Sequence, residues 1–315
     1  MTRAPLCLAL LVAMSTAAPA SAAKPRRKGP TAEEIKKIEA AAPARPRVTP
    51  KKRRKVLIFS VSYGYWHTSI PYGQRAFEIL GRKTGAYEPV VSDDQSLFEP
   101  AALKQFDAVV FNNTNRDVFL PADYAKLPPD KKAEAKKRED RLKKSFADYL
   151  ASGGGLAVTH AGVAVYRTWD EYGKIIGARF KNHPWGSGSQ ITVKIDDRSH
   201  PVASAFPEAT FTYRDEVYQV TDPWSRDMVR VLVSIDTARS NMNKKGLRAD
   251  RDLAISWVKS YGKGRVFYTA IGHDHPLFWN PVVLQHYLDG VQFACGDLEA
   301  DTTPSSKVGQ DAPSK

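Results

Sequence analysis

Cysteine is almost absent from this chain, and so are the motifs that accompany it in metal and redox sites. Cys7 and Cys295 are the two cysteines among 315 residues. Because Cys7 lies in a segment that we expect to be removed, Cys295 has no partner and no internal disulfide is predicted. We expect Cys295 to be a buried small side chain on the last helix. Paired cysteine motifs and a His-Glu-x-x-His helix are both missing, so the common zinc sites are not indicated.

Long apolar runs are also lacking, and the short run near the N-terminus has the features of a secretory signal. Arg3 supplies positive charge, residues 6–14 form the apolar stretch, and Ala20-Ser21-Ala22 resembles a cleavage site. The stretch is too short to span a bilayer. We therefore expect residues 1–22 to be a signal peptide, the protein to be periplasmic or extracellular, and no segment to span a membrane.

Positive charge predominates, but it is concentrated in one segment. The formal net charge is +13, and residues 24–55 contain 13 Lys/Arg against 3 Asp/Glu. Residues 56–315 contain 33 basic and 31 acidic groups, a net of +2. The region expected to fold is nearly neutral, so we expect no nucleic-acid partner. Five prolines in the basic segment predict that residues 23–54 are a disordered linker, with docking on an anionic surface polymer as the alternative.

Strand and helix patterns alternate through the first half of the chain. The apolar segments predicted as strands there are 56–61, 87–91, 108–112 and 156–159. The helices predicted between them are 71–83, 100–105 and 131–150. This alternation is typical of a parallel sheet with right-handed crossovers.

The second half is predicted to contain additional strands before a terminal helix at 276–294. These strands are 190–195, 211–220, 228–235, 253–258 and 265–271. Residues 297–315 are expected to be a disordered tail. The sequence thus predicts an α/β fold with a mainly parallel sheet, helices on both of its faces, and extra strands in the second half.

Several of the seven histidines fall where predicted strands end, which is where ligands bind in open α/β sheets. His160 ends the run from Gly153 in a turn of small residues, the kind of sharp turn that presents a functional side chain. His67 follows the first strand, and His273 follows the last. If the first and fourth strands are neighbours, His67 and His160 meet. Histidine there suits proton transfer or metal binding, whereas packing is the alternative for each.

Two adjacent acids, Asp215 and Glu216, interrupt the predicted strand 211–220. Strand alternation sends them to opposite faces, so one can face a pocket while the other does not. A carboxylate beside histidines can orient an imidazole, act as a general base or bind a metal ion. The alternative is a surface strand in which Arg214 pairs with one of the acids.

A set of short motifs carries a family resemblance. In chain order they are the strand 56–60 with its aromatic-histidine turn, Gly153-Gly154-Gly155-Leu156 through His160, Gly177-Ala178-Arg179-Phe180 with His183-Pro184, Ser199-His200-Pro201, Asp215-Glu216-Val217-Tyr218, and residues 262–268 with Gly272-His273. Together they resemble the ThuA-like (trehalose utilisation) family over residues 55–296. That resemblance implies the class I glutamine amidotransferase-like fold, with a flavodoxin-like doubly wound sheet.

The resemblance also implies a role in sugar catabolism, on disaccharides already oxidised to keto forms. Where true glutamine amidotransferases carry their catalytic cysteine, this sequence has His160. Hydrolysis of glutamine through a thioester is therefore excluded.

We interpret the chain as an exported enzyme that acts by general acid–base chemistry on keto-disaccharides or related glycosides, as a lyase, isomerase or hydrolase. The candidate catalytic residues are His160, Glu216 and His67. The candidate substrate-binding residues are Trp66, His183, Trp185, Asp215, Tyr218 and His273. A divalent metal ion is the candidate cofactor, with His160, His183 and Glu216 as candidate ligands. The alternative function is a non-catalytic carbohydrate-binding module.

Overall fold

The computed structural model describes residues 28–308, which form an α/β fold around one large sheet. The expected signal peptide at 1–22 lies outside the described residues. The strands are β1 Lys55–Phe59, β2 Glu88–Val91, β3 Ala108–Asn112, β4 Gly155–Thr159, β5 Arg179–Trp185, β6 Gln190–Ile195, β7 Thr210–Arg214, β8 Val217–Thr221, β9 Arg230–Ile235, β10 Ala254–Tyr261 and β11 Gly264–Thr269. The helices are α1 Ala32–Ala41, α2 Ile70–Thr84, α3 Pro100–Leu103, α4 Pro129–Ala151, α5 Asp170–Ile176 and α6 Pro281–Ala294.

The main sheet has nine strands in the order β2-β1-β3-β4-β11-β10-β9-β6-β7. Strands β2, β1, β3, β4 and β11 are parallel to one another, and β10, β9, β6 and β7 continue the sheet with antiparallel pairing. The predicted fold class is confirmed, including the additional strands of the second half. Because β1, β3, β4 and β11 are adjacent and parallel, the loops that follow them emerge at one edge of the sheet.

The central strands are buried on both sides, as expected for parallel strands covered by helices. Every residue of β3 and of β4 is buried. Helix α6 covers β4 and β11 and is itself almost entirely buried. Cys295 lies directly after α6 and is buried, and burial raises the pKa of its thiol. Within residues 28–308, none of the helices has both the length and the apolar character needed to cross a membrane.

The segment 211–220, predicted as one strand, is divided into two strands of different sheets. Strand β7 pairs with β6 in the main sheet, whereas β8 pairs with β5 in a separate two-stranded sheet. The break falls at Asp215 and Glu216. The Asp215 carboxylate accepts hydrogen bonds from three successive backbone N–H groups of residues 272–274, which draws the chain toward the loop after β11. This break turns the next residue, Glu216, toward a cavity.

The basic segment before β1 differs from the disordered linker that its composition predicts. Helix α1 begins with a capping box between Thr31 and Glu34, and it buries Ile38. Beyond α1, basic side chains pair with acids of the domain; these pairs are Arg47–Asp289, Lys51–Glu299, Lys52–Asp107, Arg53–Glu88 and Arg54–Asp297. Composition alone could not reveal this because the acidic partners are 35 to 248 residues away in sequence. Residues 309–315 of the expected tail lie outside the described residues. In its described part, Asp297 is buried and Ser305 accepts a hydrogen bond from the Val231 N–H.

The ion pair between Arg54 and Asp297 allows a test of whether this N-terminal segment stabilises the fold. Arg54 binds the fully buried Asp297 at 2.6–3.1 Å and also contacts Asp107 at 3.0 Å. We expect Arg54→Met to lower the free energy of unfolding by about 3–5 kcal/mol, because it leaves the buried Asp297 carboxylate without its charged partner. Urea unfolding measures this loss. The control is Arg53→Met, which removes an exposed pair with Glu88 and should cost less than about 1 kcal/mol; equal costs for the two variants would contradict the assignment.

Candidate active site

Three histidines converge at the edge of the sheet where the parallel strands end. His67 lies in the loop after β1, His160 directly follows β4, and His273 follows β11. Strand β3 lies between β1 and β4, so these two are not the direct neighbours that the sequence suggested. The loops nevertheless bring the rings together, with centroid distances of 5.1 Å for His67–His160, 5.3 Å for His67–His273 and 5.4 Å for His160–His273. We call His67, His160 and His273 the histidine cluster.

The loops that carry the histidine cluster are tied together by buried polar groups. The carbonyl oxygen of Gly272 accepts hydrogen bonds from Ser69 Oγ and from Asn113 Nδ2, both at 3.0 Å. Asn113 Oδ1 accepts a longer bond from the Ala161 N–H at 3.3 Å. These contacts join the loops after β1, β3, β4 and β11, so the positions of the three imidazoles are set by one shared network.

The backbone at His160 is strained in the way that functional turns often are. Its φ of 43° lies in the left-handed region, which costs a residue with a side chain roughly 1–3 kcal/mol. Gly162 allows the turn to close, since a Cβ there would lie 2.2 Å from Val158 Cγ1. The sharp turn predicted from the small residues around His160 is therefore present, and it directs the ring toward Glu216.

Two members of the histidine cluster are anchored through Nδ1 and turn Nε2 toward the same carboxylate. His160 donates from Nδ1 to the carbonyl oxygen of Ala270 at 2.8 Å, and His273 donates from Nδ1 to Asp274 Oδ1 at 2.9 Å. Their Nε2 atoms lie 3.4 Å and 3.8 Å from Glu216 Oε2. In the neutral tautomer that these anchors favour, each Nε2 presents a lone pair to a carboxylate oxygen. A shared proton or a cation resolves that repulsion.

Burial favours the neutral form of His67 and His160, which is the form that can bind a proton or a metal ion. Burial lowers the pKa of His67 to about 2 and lowers the pKa of His160. His160 Nε2 and His67 Nδ1 are buried and have no hydrogen-bond partner within the described chain. Burial alone would raise the pKa of Glu216, yet sharing of a proton with the neighbouring imidazoles, His160 first among them, holds it below its ordinary value.

The donor set fits a divalent transition-metal ion. One ligand atom from each of His67, His160, His273 and Glu216 can be chosen so that all four lie within 4.8 Å of one another. Three imidazole nitrogens suit zinc, iron, cobalt or nickel better than magnesium, and Glu216 lies close enough to be a fourth ligand or a base beside the ion. Anchoring of a ligand's second nitrogen by a carbonyl or carboxylate oxygen, seen here at His160 and His273, is common around bound metals. The group of donors that could hold an ion differs from the ligands expected from the sequence, because it contains His67 and His273 and lacks the more exposed His183.

Next to the histidine cluster is a cavity of about 420 Å³. Glu216 opens onto it, and its Oε1 lies 3.3 Å from Nδ1 of the exposed His183. Tyr218 also lines the cavity, with its ring 4.1 Å from that of His160 and its hydroxyl 3.2 Å from His67 Nε2. Burial raises the pKa of the Tyr218 hydroxyl.

Asp215 occupies a different place from the one expected. It is fully buried and contacts the loop backbone rather than the cavity. Burial raises its pKa, while the N–H groups of Gly272 and Asp274 oppose that effect. Asp215 therefore positions the loop that carries His273 and does not line the cavity. Of the two adjacent acids, Glu216 is the one that faces it.

The two tryptophans expected to bind substrate do not line this cavity in the described chain. Trp185 is 1% exposed, and its indole N–H donates to the carbonyl oxygen of Asn241 at 3.0 Å, so it is a core residue. Trp66 is half-buried beside His67 but lies outside the cavity wall. The aromatic walls are instead Tyr65, Phe180 and Tyr218. Trp66 is adjacent to His67, and adjacent side chains in an extended segment point in opposite directions. Trp185 is two residues from His183, but the register of β5 shifts between Asn182 and Trp185, so regular alternation does not relate the two side chains.

Sequence reasoning missed several residues after β3. Asn115 and Arg116 line the cavity, and Asn113 belongs to the loop network. A signal was available, since the polar run from Asn112 to Asn115 directly follows a buried apolar strand. The strand-end argument used for the histidines applies equally to that run.

Three other histidines, His200, His275 and His286, do not line this cavity and serve packing or capping. His286 is buried between Ser256 Oγ and the Val202 carbonyl oxygen. His200 accepts from the Val202 N–H and donates to the Asp301 carbonyl oxygen. His275 stacks on Tyr72 at 4.0 Å.

A family model described as ThuA, trehalose utilisation, matches residues 55–294. The chain belongs to the ThuA family. The match contains all three members of the histidine cluster as well as Glu216. No curated protein matches the chain.

Solved structures similar to this ThuA-family chain show the same fold. A ThuA-like protein from Bacteroides uniformis has a TM-score of 0.56 at 20% identity, with 80% of this chain and 93% of that one covered. A ThuA-like protein from Parabacteroides merdae has a TM-score of 0.51 at 17% identity, with 78% and 90% covered. A cytoplasmic protein from Salmonella typhimurium has a TM-score of 0.51 at 14% identity, with 76% and 98% covered. At these identities, the likeness concerns the fold.

Proposed function

We propose that this ThuA-family protein is an enzyme of sugar catabolism that removes a proton next to the carbonyl group of a keto-disaccharide or related glycoside. The observation that carries the proposal is the histidine cluster facing a single carboxylate, Glu216, at the wall of a cavity. Burying imidazoles around one carboxylate costs folding free energy unless a ligand, a proton or an ion binds them. Groups with perturbed pKa values of this kind are concentrated at active sites.

In the proposed reaction, Glu216 is the general base. The C–H next to a carbonyl is acidic, and its removal places the electron pair on the carbonyl oxygen as an enolate. Two outcomes follow from this enolate. In isomerisation, the enolate oxygen is protonated, the hydroxyl on the deprotonated carbon loses its proton to become the new carbonyl, and the former carbonyl carbon receives a proton. In elimination, the carbonyl re-forms, the C–O bond to a glycosidic oxygen on the β carbon breaks, and that oxygen is protonated. General acid–base groups of this type contribute about 10²–10⁴-fold to the rate.

The proton on Glu216 has a route to the leaving oxygen. His183 lies 3.3 Å from Glu216 and has 53% of its side chain exposed, so it can exchange protons with both the carboxylate and solvent. We assign His183 as the general acid. The imidazoles of His67, His160 and His273 would hold a divalent ion, which when bound would polarise the carbonyl oxygen. Catalytic sites of this kind keep three protein ligands and one open position, and this leaves Glu216 for proton transfer.

A sugar substrate agrees with the walls of the cavity. Tyr65, with 69% of its surface exposed, and Tyr218 offer aromatic faces beside polar groups. A second cavity of about 570 Å³ shares Ser187 and His273 with the first. Two adjoining cavities with a shared wall provide space for the two rings of a disaccharide.

The test uses purified protein supplied with divalent metal and trehalose in which one ring hydroxyl is oxidised to a carbonyl. We expect product from the wild type and a fall in turnover of at least about 100-fold in His160→Ala. His200→Gln is the control, because His200 binds the Asp301 carbonyl oxygen remote from the cavity. Calorimetric binding without product under any of Zn²⁺, Mn²⁺, Fe²⁺ or Co²⁺ would instead support a carbohydrate-binding module.

Export is part of the proposal and rests on the N-terminal sequence. Residues 1–22 carry the charge, apolar stretch and cleavage site of a signal peptide. Intact-mass measurement of the full chain after bacterial expression should show loss of these residues and recovery in the periplasmic fraction. A full-length mass in the cytoplasmic fraction would contradict export.

A further inference from the structure

We propose that the substrate of this site carries a negatively charged oxyanion group, a carboxylate or a phosphate, which Arg116 and Arg167 bind at the cavity. This inference rests on the proposed function for the sugar, whereas the oxyanion is argued from the two arginines themselves. Both side chains line the 420 Å³ cavity that contains Glu216.

The two guanidinium groups have no acidic partner in the part of the chain that the structure describes. Neither Arg116 nor Arg167 has a carboxylate oxygen within 4.0 Å among residues 28–308, whereas Arg141 pairs with Glu99 at 2.7 Å. Among the described residues lining the cavity, Glu216 is the sole acid, and its oxygens contact imidazoles. The positive charges of Arg116 and Arg167 therefore face the cavity, and the carboxylate of Glu216 already contacts imidazoles instead of pairing with them.

Arg116 is held in place by a strained backbone. Its φ of 69° is in the left-handed region, and its N–H and carbonyl oxygen bond Ala164 and Tyr166 across the next loop, each at 3.3 Å. Gly64 lets the opposite loop approach, because a Cβ there would lie 3.0 Å from Arg116 Cγ and 3.2 Å from Nε. Strain retained by surrounding contacts is typical of ligand-binding positions.

Arg167 is oriented by an aromatic ring. Its guanidinium carbon lies 5.2 Å from the centroid of Phe180, within the range of a cation–π contact. Phe180 in turn packs edge-on against Tyr218 at 4.6 Å, and Tyr218 contacts His160. Arg167 is thus joined through two rings to the histidine cluster, and its charge lies on the wall of the same cavity as the proposed reaction centre.

Guanidinium groups match the proposed ligand in both charge and shape. Their planar N–H donors fit the two oxygens of a carboxylate or phosphate, and charge-assisted bonds of this kind are about twice as strong as neutral ones. A neutral sugar would leave both groups without a charged partner. We therefore assign the site to an acidic or phosphorylated sugar.

Calorimetry on the wild-type protein with three simple probes tests the assignment. We expect D-glucuronate or D-glucose 6-phosphate to bind with a Kd at least about tenfold below that of D-glucose, and the preference to weaken as salt is raised. Tighter binding of glucuronate identifies a carboxylate as the natural group, and tighter binding of the phosphate ester identifies a phosphate. Equal affinities for all three probes would overturn the proposal.

Variants locate the charge and separate this inference from the proposed function. Arg116→Gln and Arg167→Gln should each abolish the preference for the anion without changing glucose binding, whereas Arg45→Gln, at an exposed position outside the cavity, should preserve it. If the anion preference depends on these arginines but no keto-sugar is turned over, the catalytic proposal alone fails. If neutral keto-trehalose is turned over and no arginine-dependent preference exists, the oxyanion proposal alone fails.

Discussion

Replacing Glu216 by glutamine is expected to lower kcat on a keto-disaccharide about 10²–10⁴-fold while changing substrate affinity by no more than about threefold. Glutamine keeps the size of the side chain and can still contact His183, but it cannot accept a proton at neutral pH. The loss should therefore fall on the chemical step. Steady-state kinetics, with affinity measured separately by calorimetry, distinguish the two effects.

The matched control for this prediction is Glu208→Gln, an exposed acid outside the cavity lining. Its kcat should equal that of the wild type. A Glu216→Gln variant that keeps at least half of the wild-type kcat would remove the general base from the mechanism. A variant with normal kcat and weakened affinity would assign Glu216 to substrate binding instead.

The strand-end argument explains how much of this site the sequence could reveal. Parallel strands present their following residues at one edge, so His67, His160 and His273 were identified from position alone. Strand alternation also predicted that Asp215 and Glu216 would face different ways. In the structure, Asp215 lies in the core and Glu216 faces the cavity. Both arguments use only the local sequence pattern and the regular geometry of strands, so they can be made from the sequence alone.

What the sequence could not reveal depends on contacts between distant segments. The anchoring of His273 by Asp274 is local, but that of His160 by the Ala270 carbonyl oxygen spans 110 residues. Strand β5, which carries His183, was not predicted, because it pairs with β8 outside the main sheet. The burial of Trp185 follows from that same pairing. Composition likewise misjudged the basic N-terminal segment, whose order depends on acids at the far end of the chain.

The histidine cluster leads to a second large expected effect, on metal affinity. We expect the wild-type protein to retain one divalent transition-metal ion per chain after dialysis, measured by inductively coupled plasma mass spectrometry. His67→Ala, His160→Ala and His273→Ala should each weaken Zn²⁺ binding by more than about 100-fold, because loss of an anchoring partner alone costs 10–100-fold in characterised sites. Asp274→Asn, which weakens the anchor of His273, should show that smaller loss.

The three histidine variants and Asp274→Asn together distinguish metal binding from a purely structural role for the imidazoles. A structural histidine would lower the melting temperature of the metal-free protein and leave calorimetric Zn²⁺ binding intact, whereas a ligand lowers affinity and reduces the stabilisation that added Zn²⁺ gives. His200→Gln is the control and should bind the ion as the wild type does, since its ring contacts only the chain near Val202 and Asp301. If the wild-type protein holds no ion and shows no heat of binding with Zn²⁺, Mn²⁺, Fe²⁺ or Co²⁺, a shared proton rather than a cation joins Glu216 to the histidine cluster. Proton transfer by Glu216 would then operate without a metal, because the base and the cavity do not depend on the ion.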